Sequence, residues 1–83
     1  MITGPQMKAA RALLGIDQKE LARRAGLSLP TIQRMEACDG VVRAVVDSLE
    51  KVVNALNQSG VELIGSGARS EGVGRGVRLI ERS

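Results

Sequence analysis

The chain has no phenylalanine, tyrosine, tryptophan or histidine, a single cysteine and two prolines. Without aromatic rings, any core has to be assembled from Leu, Val, Ile, Met and Ala. No base can stack on a side-chain ring either, which weighs against single-stranded nucleic acid or RNA as the main ligand. With Cys38 as the only thiol and no imidazole, neither a disulfide framework nor a zinc cluster can be built. No paired carboxylates stand out as an acid–base couple, so the expectation is a non-enzyme without metal or cofactor. No apolar run approaches the ~20 residues needed to cross a bilayer, and the N-terminal segment has no signal-peptide h-region. A soluble, cytoplasmic protein of bacterial type, with no membrane partner, is expected.

What is present is small and locally charged. At 83 residues the chain amounts to one domain with a short appendage. A chain of this size buries only a little over ~60% of its unfolded surface, so its core is thin and a partner subunit helps. Twelve basic against nine acidic residues give a net charge of +3, a mild bias. Its placement says more than its size. Lys8, Arg11, Lys19, Arg23, Arg24 and Arg34 all lie in the first 34 residues, against only Asp17 and Glu20. The N-terminal part is therefore the one suited to a polyanion.

The chain punctuates itself into helices. Thr3 and Gln6 have capping-box spacing, Pro5 suits a first turn and Gly15 a left-handed stop, predicting a helix over 4–14 whose apolar side is Met7, Ala10, Leu13 and Leu14. Asp17 and Glu20 repeat the capping-box spacing ahead of a helix over 18–25, with Leu21, Ala22 and Ala25 on one face and Gly26 as its end. Ser28 is a further N-cap and Pro30 a first-turn residue, opening a helix over 29–37 with Ile32 and Met35 facing inward. Asp39-Gly40 breaks the chain. A longer helix over 43–58 follows, carrying Val45, Val46, Leu49, Val52, Val53 and Leu56 as a broad stripe that covers the core and leaves something for a partner. Gly60 is its expected stop. Val61–Ile64 and Val77–Ile80 alternate like half-buried strands, separated by the loop composition of 65–76. An isolated hairpin is marginal in water, so the strands should pair across a dimer axis or pack on the long helix. The glycine-rich loop lacks the G-x-x-x-x-G-K-[ST] pattern of a phosphate cradle and reads as a flexible connection. Cys38 reads as an inert thiol rather than a redox switch.

Two short helices about three residues apart, around Gly26, form the unit that usually reads DNA. The arrangement Gln18-x-x-Leu21-Ala22-x-x-Ala25-Gly26-Leu27-Ser28-x-x-Thr31-Ile32-x-x-x-Glu36 resembles the Cro and phage-repressor (xenobiotic-response-element type) helix-turn-helix family over residues 4–58. The resemblance implies a mainly α, compact four-helix domain, usually dimeric, that binds operator DNA through its third helix. It implies base-edge contacts by Leu29, Pro30 and Arg34; Gln33, on the same exposed face, is either an adenine reader or plain surface. It places Gln18, Ser28 and Thr31 on DNA phosphates, with Lys19 and Arg43 as further candidates. It also implies an ion pair between Arg11 and Glu36. Such a pair orients helices more than it stabilises them, although breaking it costs about 3–5 kcal/mol. Leu29 and Pro30 replace polar side chains common at those positions, which shifts their contact to thymine methyls. The loop after the third helix is often basic in relatives, whereas here it holds Asp39, Val41 and Val42 before Arg43.

The expected organisation is a DNA-binding domain at 1–58 and a strand-loop-strand appendage at 59–83, forming a C-terminal β-hairpin or strand pair used in dimerisation. The expected partners are double-stranded DNA and a second copy of the chain. The competing expectation is an antitoxin-type interaction module, whose tail holds a protein partner such as a toxin or another regulator.

Overall fold

The computed structural model describes residues 2–64 and 76–80, and its elements run α1 (Gly4–Leu14), α2 (Gln18–Ala25), α3 (Leu29–Glu36), α4 (Val46–Gln58), β1 (Val61–Ile64) and β2 (Gly76–Leu79). The helix starts follow from cap chemistry. Thr3 Oγ1 accepts from the Gln6 amide at 3.1 Å while Gln6 Oε1 accepts from the Thr3 amide at 2.9 Å, a complete capping box. Asp17 accepts from the Glu20 amide at 2.8 Å, and Ser28 from the Thr31 amide at 3.3 Å. The box expected at Asp17 is only half closed: Glu20 turns away from the N-cap toward Arg23 and Arg24, because two guanidinium groups outcompete one neutral amide. Gly15 and Gly26 end α1 and α2 in the left-handed conformation, at φ 68° and 69°.

The core is aliphatic throughout. Met7 and Ala10 of α1, Leu21, Ala22 and Ala25 of α2, Ile32 and Met35 of α3, and Val52, Ala55 and Leu56 of α4 are buried together with Ile2, Val42 and Val61. Leu13, expected on the apolar side of α1, is exposed; Leu14 packs against the core from its edge. Helix α2 packs on α3 and α4, and α1 on α3 and the hairpin.

The start of α4 differs from expectation by three residues. The Val42 amide donates to the Ile2 carbonyl at 2.9 Å and the Gly4 amide to the Gly40 carbonyl at 3.1 Å, with Thr3 and Val41 bridged antiparallel. This clasp holds Val41 and Val42 against the N-terminal segment, and Val45, extended at ψ 149°, becomes an N-cap with no side-chain bond. Val45 and Val46, expected in the apolar stripe, are therefore 70% and 68% exposed. Close approach also explains Gly4: a Cβ there collides with the Cys38 carbonyl and comes within 2.8 Å of the Glu36 carbonyl oxygen.

The strands pair with each other, antiparallel, in the register Val61↔Leu79, Glu62↔Arg78, Leu63↔Val77 and Ile64↔Gly76. Strand β1 packs on α4 and β2 on α1, so of the two expected arrangements this is packing within the chain. Val61 is fully buried, and Leu63 and Val77 pack against the core. Gln6 fixes the open end: its Nε2 donates to the Ile64 carbonyl at 3.1 Å and to the Gly76 carbonyl at 2.9 Å. Gly60, at φ 98°, turns the chain from α4 into β1. The expected loop over 65–76 lies outside the described residues except for Gly76.

Candidate nucleic-acid interface

Helix α3 has two sides. Ile32, Met35 and Glu36 are buried, while Pro30, Gln33, Arg34 and Ala37 are exposed on the opposite side; Leu29 and Thr31 flank them half-buried. The spacing 30, 33, 34, 37 is one helical face, and its only charge is Arg34. The Arg34 guanidinium has no carboxylate partner among the described residues. Ser28 and Thr31, at the start of α3, share a hydroxyl–hydroxyl hydrogen bond of 2.8 Å, which leaves both at the helix N-terminus.

One buried carboxylate ties three helices together. Glu36 is 1% exposed, and its two oxygens accept from Arg11 Nε at 2.7 Å and Arg11 Nη2 at 2.8 Å. Arg11 Nη1 also donates to the Ile16 carbonyl at 3.3 Å, just before α2 begins. The bidentate bond to Glu36 raises the Arg11 pKa above its ordinary value, against the opposing effect of burial. Gln18, the first residue of α2, donates from Nε2 to Glu36 Oε1 at 3.1 Å. A carboxylate can only accept here, so it fixes the orientation of the Gln18 amide. The end of α3 is thus docked to α1 and to the N-terminus of α2.

The cations divide into two groups. Arg23 and Arg24, close in sequence to Lys19, are engaged elsewhere: Arg23 bonds Glu20 at 2.5 and 2.8 Å, and Arg24 bonds Glu20 at 2.8 Å and Ser59 Oγ at 3.1 Å. Their hydrogen bonds hold the Glu20 carboxyl down to about pH 2, below its ordinary 4.5. In return, the bond to Glu20 raises Arg23 above the usual arginine value. Lys51 pairs with Asp47 at 3.2 Å, and Arg78 lies 3.8 Å from Glu62. Lys8, Lys19, Arg34 and Arg43 remain, exposed and without a carboxylate partner among the described residues. Lys19 stands at the N-terminus of α2, Arg34 on the open face of α3, and Arg43 in the loop between α3 and α4.

The structure thus brings Gln18 to the Arg11–Glu36 pair where the N-terminus of α2 meets the C-terminal end of α3, with Lys19 next along α2 and with Leu29, Pro30, Gln33 and Arg34 along the outer side of α3. Arg43 lies on the loop between α3 and α4, just after the stretch that the N-terminal segment clasps. No cluster of side chains suited to a metal ion occurs among the described residues, and no helix among them is long and apolar enough to cross a membrane.

Against known proteins, no curated protein matches the chain. The sequence model of the family described as helix-turn-helix matches residues 7–63, from within α1 to within β1. With two capped helices around Gly26, an outward face on the second of them and a match over most of its length, the chain belongs to the helix-turn-helix family of the Cro and phage-repressor type.

Proposed function

We propose that this DNA-binding helix-turn-helix protein is a sequence-specific transcriptional regulator that acts as a homodimer on operator DNA. The observation that carries the reading is the outer face of α3, where Arg34, without a carboxylate partner among the described residues, stands beside Pro30 and Gln33 on a helix whose inner face is anchored through Glu36. In a major groove, Arg34 donates two hydrogen bonds to guanine O6 and N7, Gln33 meets an adenine edge, and Leu29 and Pro30 lie against thymine methyls. Gln18, Lys19, Ser28 and Thr31 grip phosphates on either side of the helix, and Arg43 adds a contact from the following loop. No reacting group takes part, so the protein works by occupancy.

A single eight-residue helix reads few base pairs, which is why two copies are invoked. The surface for pairing is one side of α4 from Val46 to Asn54, where Val46, Leu49 and Val53 line an apolar groove walled by Ile2 and rimmed by Glu50 and Asn54. The exposed Leu79 and Ile80 at the end of the hairpin extend the apolar surface of the tail.

Selection of bound sequences from random duplexes, followed by a salt titration on the enriched site, tests the reading. A defined two-fold-related site with a steep salt slope is expected. Salt-dependent binding that ignores sequence overturns it.

A further inference from the structure

We infer that Lys8 is a DNA phosphate contact, supplying from α1 a positive charge beside the first part of the loop after α3, residues 37–42, which holds no cation ahead of Arg43. The inference rests on the proposed reading of α3 as the groove-entering helix.

The direction of Lys8 is fixed by its neighbours on the same helix. The Cβ direction of Gly4 points at the carbonyls of Glu36 and Cys38, and Arg11 reaches the Glu36 carboxylate. Both positions therefore face the C-terminal end of α3. Lys8 follows Gly4 by four residues and precedes Arg11 by three. Its side chain leaves α1 about 40° around the axis from that of Gly4, on the side away from Met7 and the core. It thus stands on the open edge of the contact between α1 and the end of α3, beside the loop that begins at Cys38.

That edge needs charge. Between the end of α3 and Arg43 the chain reads Ala37-Cys38-Asp39-Gly40-Val41-Val42, with no cation and one carboxylate. Lys8 is exposed and forms no ion pair with Asp39 or any other carboxylate among the described residues, so its ammonium is available to a phosphate. With Lys19 at the N-terminus of α2, it places two cations that have no carboxylate partner among the described residues around the docked end of α3. A backbone contact placed there fixes the register of the reading helix without favouring any base.

The test compares wild type, Lys8→Gln, Lys8→Arg and Lys51→Gln on the enriched operator and on an unrelated duplex between 0.05 and 0.3 M salt, roughly the range in which counterion release is read. Lys8→Gln is expected to reduce the salt slope by about 0.9. Between 0.3 and 0.05 M the affinity ratio of wild type to variant therefore grows by about 5-fold, equally on both duplexes. Lys8→Arg should restore the slope, and Lys51→Gln, already paired to Asp47 on α4, should leave it unchanged. A wild-type slope in Lys8→Gln overturns the inference while leaving the regulator reading intact. A loss confined to the operator overturns it as well, since a phosphate contact carries no sequence preference. If the wild type itself shows no salt-dependent binding, the regulator reading fails first.

Discussion

At the scale of single residues, the same side chain does different work according to whether a carboxylate has claimed it. Arg23, Arg24 and Arg34 are indistinguishable by composition, but the first two are clamped on Glu20, whereas the third, on an outward helix face, has no carboxylate partner among the described residues. Arg34→Ala is accordingly expected to weaken operator binding by about 1–3 kcal/mol and to relax preference at one base pair, with helicity unchanged. Competition binding against a panel of single-base operator variants checks it, and an unaltered preference at every position removes Arg34 from the base-reading set. Glu20 offers a second check on the clamp. Its folded pKa of about 2 lies below the ordinary 4.5, so the stabilisation is present in full above that ordinary value and is lost as pH falls toward 2. The carboxyl lies at the surface, within reach of solvent, so the effect is visible in titration rather than in global stability. A carboxyl carbon titration by NMR should show Glu20 still ionised at pH 3, roughly where an unperturbed glutamate is largely protonated. A midpoint above 4 means that the clamp does not persist in solution.

At the scale of elements, what is legible in the sequence depends on how far away the deciding partner lies. Thr3, Asp17 and Ser28 cap helices through amides three residues on, and Gly15 and Gly26 end them locally, so α1, α2 and α3 can be read almost to the residue. The start of α4 could not be read this way, because Val42 is held extended by the carbonyl of Ile2, forty residues earlier, and no local pattern announces that bond. The candidate site divides likewise. The outward face of α3 follows from helical periodicity, whereas the removal of Arg24 to Ser59, thirty-five residues away, needs the packing of α2 on α4. Gln6 is the clearest case. Locally it completes a capping box, a role Glu fills equally well; at long range its amide also donates to Ile64 and Gly76 at the mouth of the hairpin. Gln6→Glu keeps the acceptor for Thr3 but turns a carboxylate toward two carbonyl oxygens. It should destabilise the fold by about 1–3 kcal/mol, as much as Gln6→Ala. Urea unfolding of both variants decides this, and full stability in Gln6→Glu shows that the hairpin does not depend on the clamp.

At the scale of the whole molecule, the issue is how a thin aliphatic core and a short reading helix reach useful affinity. Helix α4 divides its apolar residues between two tasks. Val52 and Leu56 close the core, while Val46, Leu49 and Val53, spaced three and four apart, line a groove that opens outward. Val46 lies in the first turn and is 68% exposed, so it contributes little to the fold of one chain. Val46→Glu should therefore change monomer stability by no more than about 0.5 kcal/mol. If two copies meet through this face, the substitution buries four new carboxylate oxygens without partners, and the dimer dissociates. Sedimentation equilibrium should then report a dimer for the wild type and a monomer for Val46→Glu. The full operator should lose affinity steeply, because each half-site, about 34 Å from the other, now recruits a separate molecule. Binding to an isolated half-site duplex should not change, since α3 and its phosphate grip lie outside the substitution. That contrast separates a lost interface from a damaged reading head. A Val46→Glu protein that still sediments as a dimer and still binds the full operator moves the dimer contact off α4, leaving Leu79 and Ile80 of the hairpin as the next apolar surface to alter.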